Sequence, residues 1–159
     1  MPTESVRNIF AENPRQQYRL IHDIYVQLQD GDSRLLRQFD LTGSQYAVLL
    51  HLDDSQGQRL IRISERLLLA RSTITRIVDQ LQHKGLVERI ADHDDRRAQR
   101  VLLTPAGHKR REAARAAHDQ SLQHRLQMLN SDEHEQLHSL LMKVSKGLDS
   151  HLRANGFES

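Results

Sequence analysis

Between Ser72 and Lys84 the sequence STITRIVDQLQHK carries two faces at helical spacing. Ile74, Ile77, Val78 and Leu81 fall at i, i+3, i+4 and i+7, an apolar stripe, which leaves Thr73, Thr75, Arg76, Gln80 and His83 on the other side. Those polar types suit one chemistry. A guanidinium such as that of Arg76 can donate two parallel hydrogen bonds to guanine, and a threonine can offer its hydroxyl to a base or its methyl to thymine. A short way downstream Arg96, Arg97 and Arg100 crowd a charged connector. A narrow, A/T-rich minor groove attracts guanidinium groups of this kind. The same residues would also serve as the solvated sides of an amphipathic helix and a hairpin. The order helix, glycine, basic hairpin is what favours nucleic acid.

The charge distribution agrees. The chain carries a net charge of only +2, yet Arg59 to Arg100 holds ten Lys/Arg against six Asp/Glu, a local +4 that leaves −2 for the remainder. A basic segment in an acidic frame suits a protein that meets phosphates at one place. Asp92, Asp94, Asp95 and Glu88 would repel those phosphates unless some of them are structural.

The elements that position this stretch follow from periodicity and caps. At 159 residues, 37% hydrophobic and 4% aromatic, the chain fits one domain that buries part of its surface against a second copy. A long helix is expected from about Arg15 to Gln38, with a bend or polar notch at Gly31 and Asp32. Thr42 and Gln45 form a capping box that opens a second helix. A very short strand is expected at Leu60 and Ile61, a helix over Ile63–Leu69, the Ser72–Lys84 helix, and a left-handed stop at Gly85. Leu86–Ala91 and Gln99–Leu103 read as strands joined by Asp92–Arg97. Thr104-Pro105 starts a helix that runs to about Leu129. A last helix follows Asn130-Ser131, with Asp132 and Glu133 favoured in its first turn by the helix dipole. The arm before Arg15 carries Val6, Ile9 and Phe10.

Three blocks, LTGSQYAVLLHL, ARSTITRIVDQLQHKGLVER and DHDDRRAQRVLLTPAGH, resemble the multiple antibiotic resistance regulator (MarR) family of bacterial transcription factors. The resemblance is specific from Leu41 to Gly107. It implies a mainly α fold with a small β-wing (α+β): a winged helix-turn-helix head over 41–104, flanked by dimerisation helices over 15–40 and 105–153. It implies a homodimer on double-stranded DNA, a repressor at a palindromic operator. Arg71, Ser72, Thr73, Thr75 and Arg76 would face bases or phosphates, Asp95 would orient the wing, and Arg96 and Arg97 would carry it into the minor groove. The sequence departs from the family pattern at Leu68, where the turn normally has glycine, at Ala70, where serine often caps the recognition helix, and at His93, in place of the wing proline. The cap either moves to Ser72 or the helix starts less well secured.

The resemblance also implies a small-molecule effector, such as an aromatic acid, in a cleft between head and dimer helices. Arg19, His22, Tyr46 and His51 are candidate partners for its carboxylate, or are hydrogen-bonded structural residues. A metal-responsive regulator is an alternative, since His134 and His138 lie four apart on one helical face. A winged-helix protein-interaction module is another. No metal site is assigned and no cofactor is expected. No glycine-rich phosphate loop, nucleophile elbow or His-Glu-x-x-His occurs, so no enzyme is expected. There is no cysteine, which excludes disulfides and thiolate metal sites. No apolar run approaches the ~20 residues that span a bilayer, and the start lacks a signal-peptide pattern, so a cytoplasmic protein without a membrane partner is expected.

Overall fold

The computed structural model describes residues 14–53, 55–92, 95 and 98–154. The arm with Val6, Ile9 and Phe10 lies outside them, as do His93, Asp94, Arg96 and Arg97 in the hairpin. In chain order the elements are α1 (Pro14–Arg37), α2 (Gly43–Leu50), β1 (Gln58–Arg59), α3 (Leu60–Leu67), α4 (Arg71–His83), β2 (Val87–Ala91), β3 (Gln99–Leu103), α5 (Pro105–Leu126) and α6 (Ser131–Ala154). The fold is mainly helical with one small antiparallel sheet, ordered β1-β3-β2.

Local chemistry explains most boundaries. Gln45 N–H donates to the Thr42 hydroxyl at 3.2 Å and Thr42 N–H to the Gln45 side chain at 3.1 Å, the reciprocal pair expected at the start of α2. Thr104 caps α5 by accepting from Gly107 N–H at 3.0 Å, with Pro105 at the first helical position. Gly85 takes φ +69° just past α4, a left-handed turn that glycine adopts without a Cβ clash. Asn130 and Glu133 form a second reciprocal cap at α6, at 3.0 and 2.9 Å. Glu133 therefore acts through directed hydrogen bonds as well as through its charge.

Some boundaries differ from the expectation. The short strand is Gln58–Arg59, with Gln58 opposite Val101 and Arg59 opposite Arg100, and Leu60 already opens α3. Pairing with β3 decides this, and β3 lies some forty residues away in the chain. At the other end α5 stops at Leu126, and Leu129 sits in the turn that follows, its N–H on the Leu126 carbonyl. The wing hairpin keeps a regular register from Val87↔Leu103 to Ala91↔Gln99.

The core lies in the middle of the chain. Leu41, Val48, Leu49, Ile63, Ile74, Val78, Leu81, Leu86, Val87, Val101 and Leu103 are buried together, joined by Leu36 of α1 and Ala114 of α5. The stripe on α4 is thus consumed by the core. The stripes on the long helices are not. α6 has no buried residue, and Tyr18, Ile21, Ile24 and Tyr25 of α1 stand open to solvent. Among the described residues these faces have no counterpart.

The polar notch in α1 does have a counterpart. The helix runs on through Gly31 and Asp32, and Arg125 of α5 donates to the Asp32 carboxylate at 2.7 Å. The Arg125 guanidinium occupies the space that a side chain at Gly31 would fill, 2.7 Å from the position of a Cβ there. The glycine costs helix propensity and makes room for that ion pair.

Candidate nucleic-acid interface

α4 is 13 residues long, about 20 Å at 1.5 Å per residue. With Ile74, Ile77, Val78 and Leu81 turned inward, Arg71, Ser72, Thr75 and Arg76 are exposed and Thr73 is half-buried at the margin. The five residues therefore share the first turns of one solvent-facing surface. The Thr75 hydroxyl donates to the Arg71 carbonyl at 3.0 Å, so in this rotamer it presents lone pairs and its methyl group outward. Ala70 is the N-cap and supplies no side-chain acceptor. Of the two outcomes foreseen for this cap, the helix starts at Arg71 with its first N–H groups unserved by a side chain, and those groups attract anions. Leu68, in the turn before it, adopts φ 52° and ψ 39° with 82% of its surface exposed. A leucine thus occupies the left-handed position that glycine would fill more easily.

Side chains hold α4 at both sides. Buried Gln45 of α2 donates to Gln80 at 3.1 Å, and Lys84 reaches Gln45 at 3.3 Å and the Asp40 carboxylate at 3.1 Å. Arg89 on β2 pairs with Asp79 at 2.7 Å and donates to Gln82 at 3.1 Å, so helix and wing are joined directly.

At the root of the wing lies a group whose role was not read from the sequence. Asp92 is 2% exposed. Arg59 of β1 donates to both its oxygens at 2.7 Å, and Arg100 of β3 donates to Oδ2 at 2.7 Å. Asp95 offers its backbone N–H to Oδ1 at 3.0 Å. Arg100 also donates to the Gln56 carbonyl at 3.2 Å. The signal available in the sequence was an aspartate at the end of a strand. Its main partner lies 33 residues upstream, and only the β1–β3 pairing brings it near. Arg100 thus faces a buried carboxylate, and Asp95 lies exposed at the hairpin. Arg96 and Arg97 are outside the described residues.

The candidate ligand residues are dispersed. A cleft of about 480 Å³ opens between α1, α2 and α5, bordered by Gln29, Asp32, Ser44, Tyr46 and His118. Tyr46 is buried, and its ring meets His118 edge-on, centroids 5.6 Å apart. Burial pushes the Tyr46 phenol above its ordinary range, helped by the charge of Asp119. His118 Nε2 lies 3.3 Å from the Asp32 carboxylate. Arg19 and His22 stand exposed on α1, and His51 caps the far end of α2. None of these three borders the cleft within one chain. His134 and His138 are exposed on α6. Among the described residues no group of three or more His, Cys, Asp or Glu is placed to hold a metal ion, and no helix is long and apolar enough to cross a membrane.

Comparison with known proteins meets this geometry. The MarR family pattern matches residues 41–98, from the entry to α2 through the helix-turn-helix and most of the hairpin. The HTH-type transcriptional regulator PrsX of Escherichia coli is 37% identical over 82 residues, 50% of this chain, and the chain spans about half of its length (49%). Transcriptional regulator HosA of E. coli O127:H6 is 30% identical over 105 residues, which cover 66% of this chain and 78% of HosA. The crystal structure of an S. aureus MepR–DNA complex matches with a TM-score of 0.75 and 26% identity, over 82% of this chain and 96% of that one. With helix-turn-helix, wing and flanking helices in the same order, this chain belongs to the MarR family.

Proposed function

We propose that the protein is a sequence-specific DNA-binding transcriptional regulator, a homodimeric repressor at a palindromic operator that a small-molecule effector releases. The observation that carries the reading is the exposed face of α4, where Arg71, Ser72, Thr73, Thr75 and Arg76 project from a helix locked to a β-wing. PrsX and HosA, named as regulators, and MepR, in complex with DNA, support it. Arg76 reads guanine in the major groove, Arg96 and Arg97 follow the adjacent minor groove, and Asp95 orients the wing.

Dimerisation rests on the uncovered faces of α1 and α6. Ile21, Ile24, Tyr25, Leu140, Leu141 and Leu148 each expose half or more of their surface. Fully burying a side chain of this size is worth about 1.5–3 kcal/mol. Several of them from each protomer offset an association cost of about 4–15 kcal/mol. Two-fold symmetry then sets recognition helices one helical turn apart, ~34 Å.

The effector, such as an aromatic acid, would enter the Tyr46 cleft. Arg19, His22 and His51 would reach it only across the dimer. A ligand there releases DNA if it binds better to a head spacing unfit for the operator.

A mobility-shift titration with duplex from the region beside the gene tests the reading. Affinity should fall linearly with the logarithm of salt concentration, and Arg76→Ala should cost ~1–3 kcal/mol at a subset of sequences. No shift at low salt would leave a protein-interaction module in its place.

A further inference from the structure

We propose that Asp92 is a specificity-determining residue that acts through two arginines. It aims the wing through Arg59 and Arg100, and it keeps Arg59 off the DNA backbone. The inference rests on the DNA-binding reading above.

The Asp92 side chain is 0% exposed and receives hydrogen bonds from three separate segments. Both arginines approach at 2.7 Å, a spacing typical of charge-assisted bonds. Their direction matters. Arg59 comes from β1 and Arg100 from β3, while the Asp95 N–H comes from inside the hairpin, which the Asp92 N–H to Ala98 carbonyl bond closes at 3.1 Å. One carboxylate therefore couples the base of the wing to the strand preceding α3.

The second consequence is electrostatic. Arg59, Arg71 and Asp95 border one concave surface of about 440 Å³ between the start of α4 and the hairpin. DNA lying on α4 would pass this surface. A guanidinium free to move there would bind any phosphate, and phosphate contacts carry no sequence information. Each such contact adds to sequence-independent affinity and steepens its salt dependence. Bound to a buried carboxylate, Arg59 is withheld from that role. Asp92 thus raises operator binding through geometry and lowers competing binding through charge.

The test compares wild-type protein with Asp92→Asn, which removes the charge and keeps an acceptor oxygen. The probes are an operator duplex selected from a randomised library on the wild-type dimer and a scrambled duplex of equal length, each titrated across a salt series. For Asp92→Asn the ratio of operator to scrambled affinity should fall about tenfold. The salt slope on the scrambled duplex should steepen by about one unit. A merely structural residue would lower both affinities together and leave that slope alone, and this result would overturn the proposal. If Asp92→Asn loses its fold by circular dichroism, Arg59→Gln decides, because Arg100 still holds the carboxylate. It should bind operator about threefold more weakly with its scrambled-duplex slope unchanged, whereas a slope reduced by about one would make Arg59 a phosphate contact and overturn the proposal. Should the wild type enrich no sequence from the library, the DNA-binding reading fails, and this inference with it.

Discussion

Replacing Gly107 with alanine tests how the long helix α5 is seated on the head. Gly107 is the third residue of α5, under the Thr104 cap. A Cβ there would lie 1.9 Å from the Leu86 carbonyl oxygen, 2.9 Å from its carbon and 3.1 Å from Leu103 Cδ2. The nearest atoms are the backbone of Leu86, just before β2, so the first turn of α5 must move away. That movement breaks the Thr104 N–H bond to the same Leu86 carbonyl, 3.1 Å long, and the Thr104 hydroxyl bond to Gly85, 2.7 Å long. Each of these two hydrogen bonds is worth about 1 kcal/mol, and overpacking costs about 1–3 kcal/mol. Alanine recovers about 1 kcal/mol of helix propensity. The net expectation is a loss of about 2–4 kcal/mol, seen as a lower urea midpoint with an unchanged slope. The melting temperature should fall by about 10 °C. A Gly107→Ala protein as stable as wild type would refute the reasoning, because it would show that α5 is not in close contact with the strand.

Leu68→Gly should relieve a left-handed leucine whose side chain is largely exposed, and raise stability by about 0.5 kcal/mol, while Leu68→Ala, still left-handed, should bring no gain. A destabilised Leu68→Gly in a denaturant titration would mean that the leucine side chain contributes packing. Leu141→Glu on the uncovered face of α6 should yield a monomer by light scattering, at a cost of about 3 kcal/mol or more because symmetry brings the charge in twice; a persistent dimer would place the interface elsewhere. The Tyr46 phenol is held above its ordinary value of 10.0. Its stabilising contribution is therefore complete below pH 10 and is lost as pH rises through the folded value. Ultraviolet titration should show one late-ionising tyrosine that disappears in Tyr46→Phe, and an unchanged titration curve in that variant would contradict its burial.

Signals contained within a few residues were legible in the sequence. The Thr42–Gln45 box, the Gly85 stop, the Thr104-Pro105 start and the α4 stripe each bond or pack near their own position in the chain, so residue type and spacing suffice to read them. The exposed set on α4 followed from the same period once its apolar face was assigned to the core. The chain-distant contacts needed the tertiary structure. Arg125 lies 93 residues from Asp32, and it explains a glycine and an aspartate that looked like flaws in α1. Leu86 decides that Gly107 must lack a side chain, and strand pairing moves the short strand two residues from its expected place. Asp92 was one acid among three in a charged connector until β1 brought Arg59 against it. A buried carboxylate is held by whichever cations the fold delivers, and local sequence does not encode which those are.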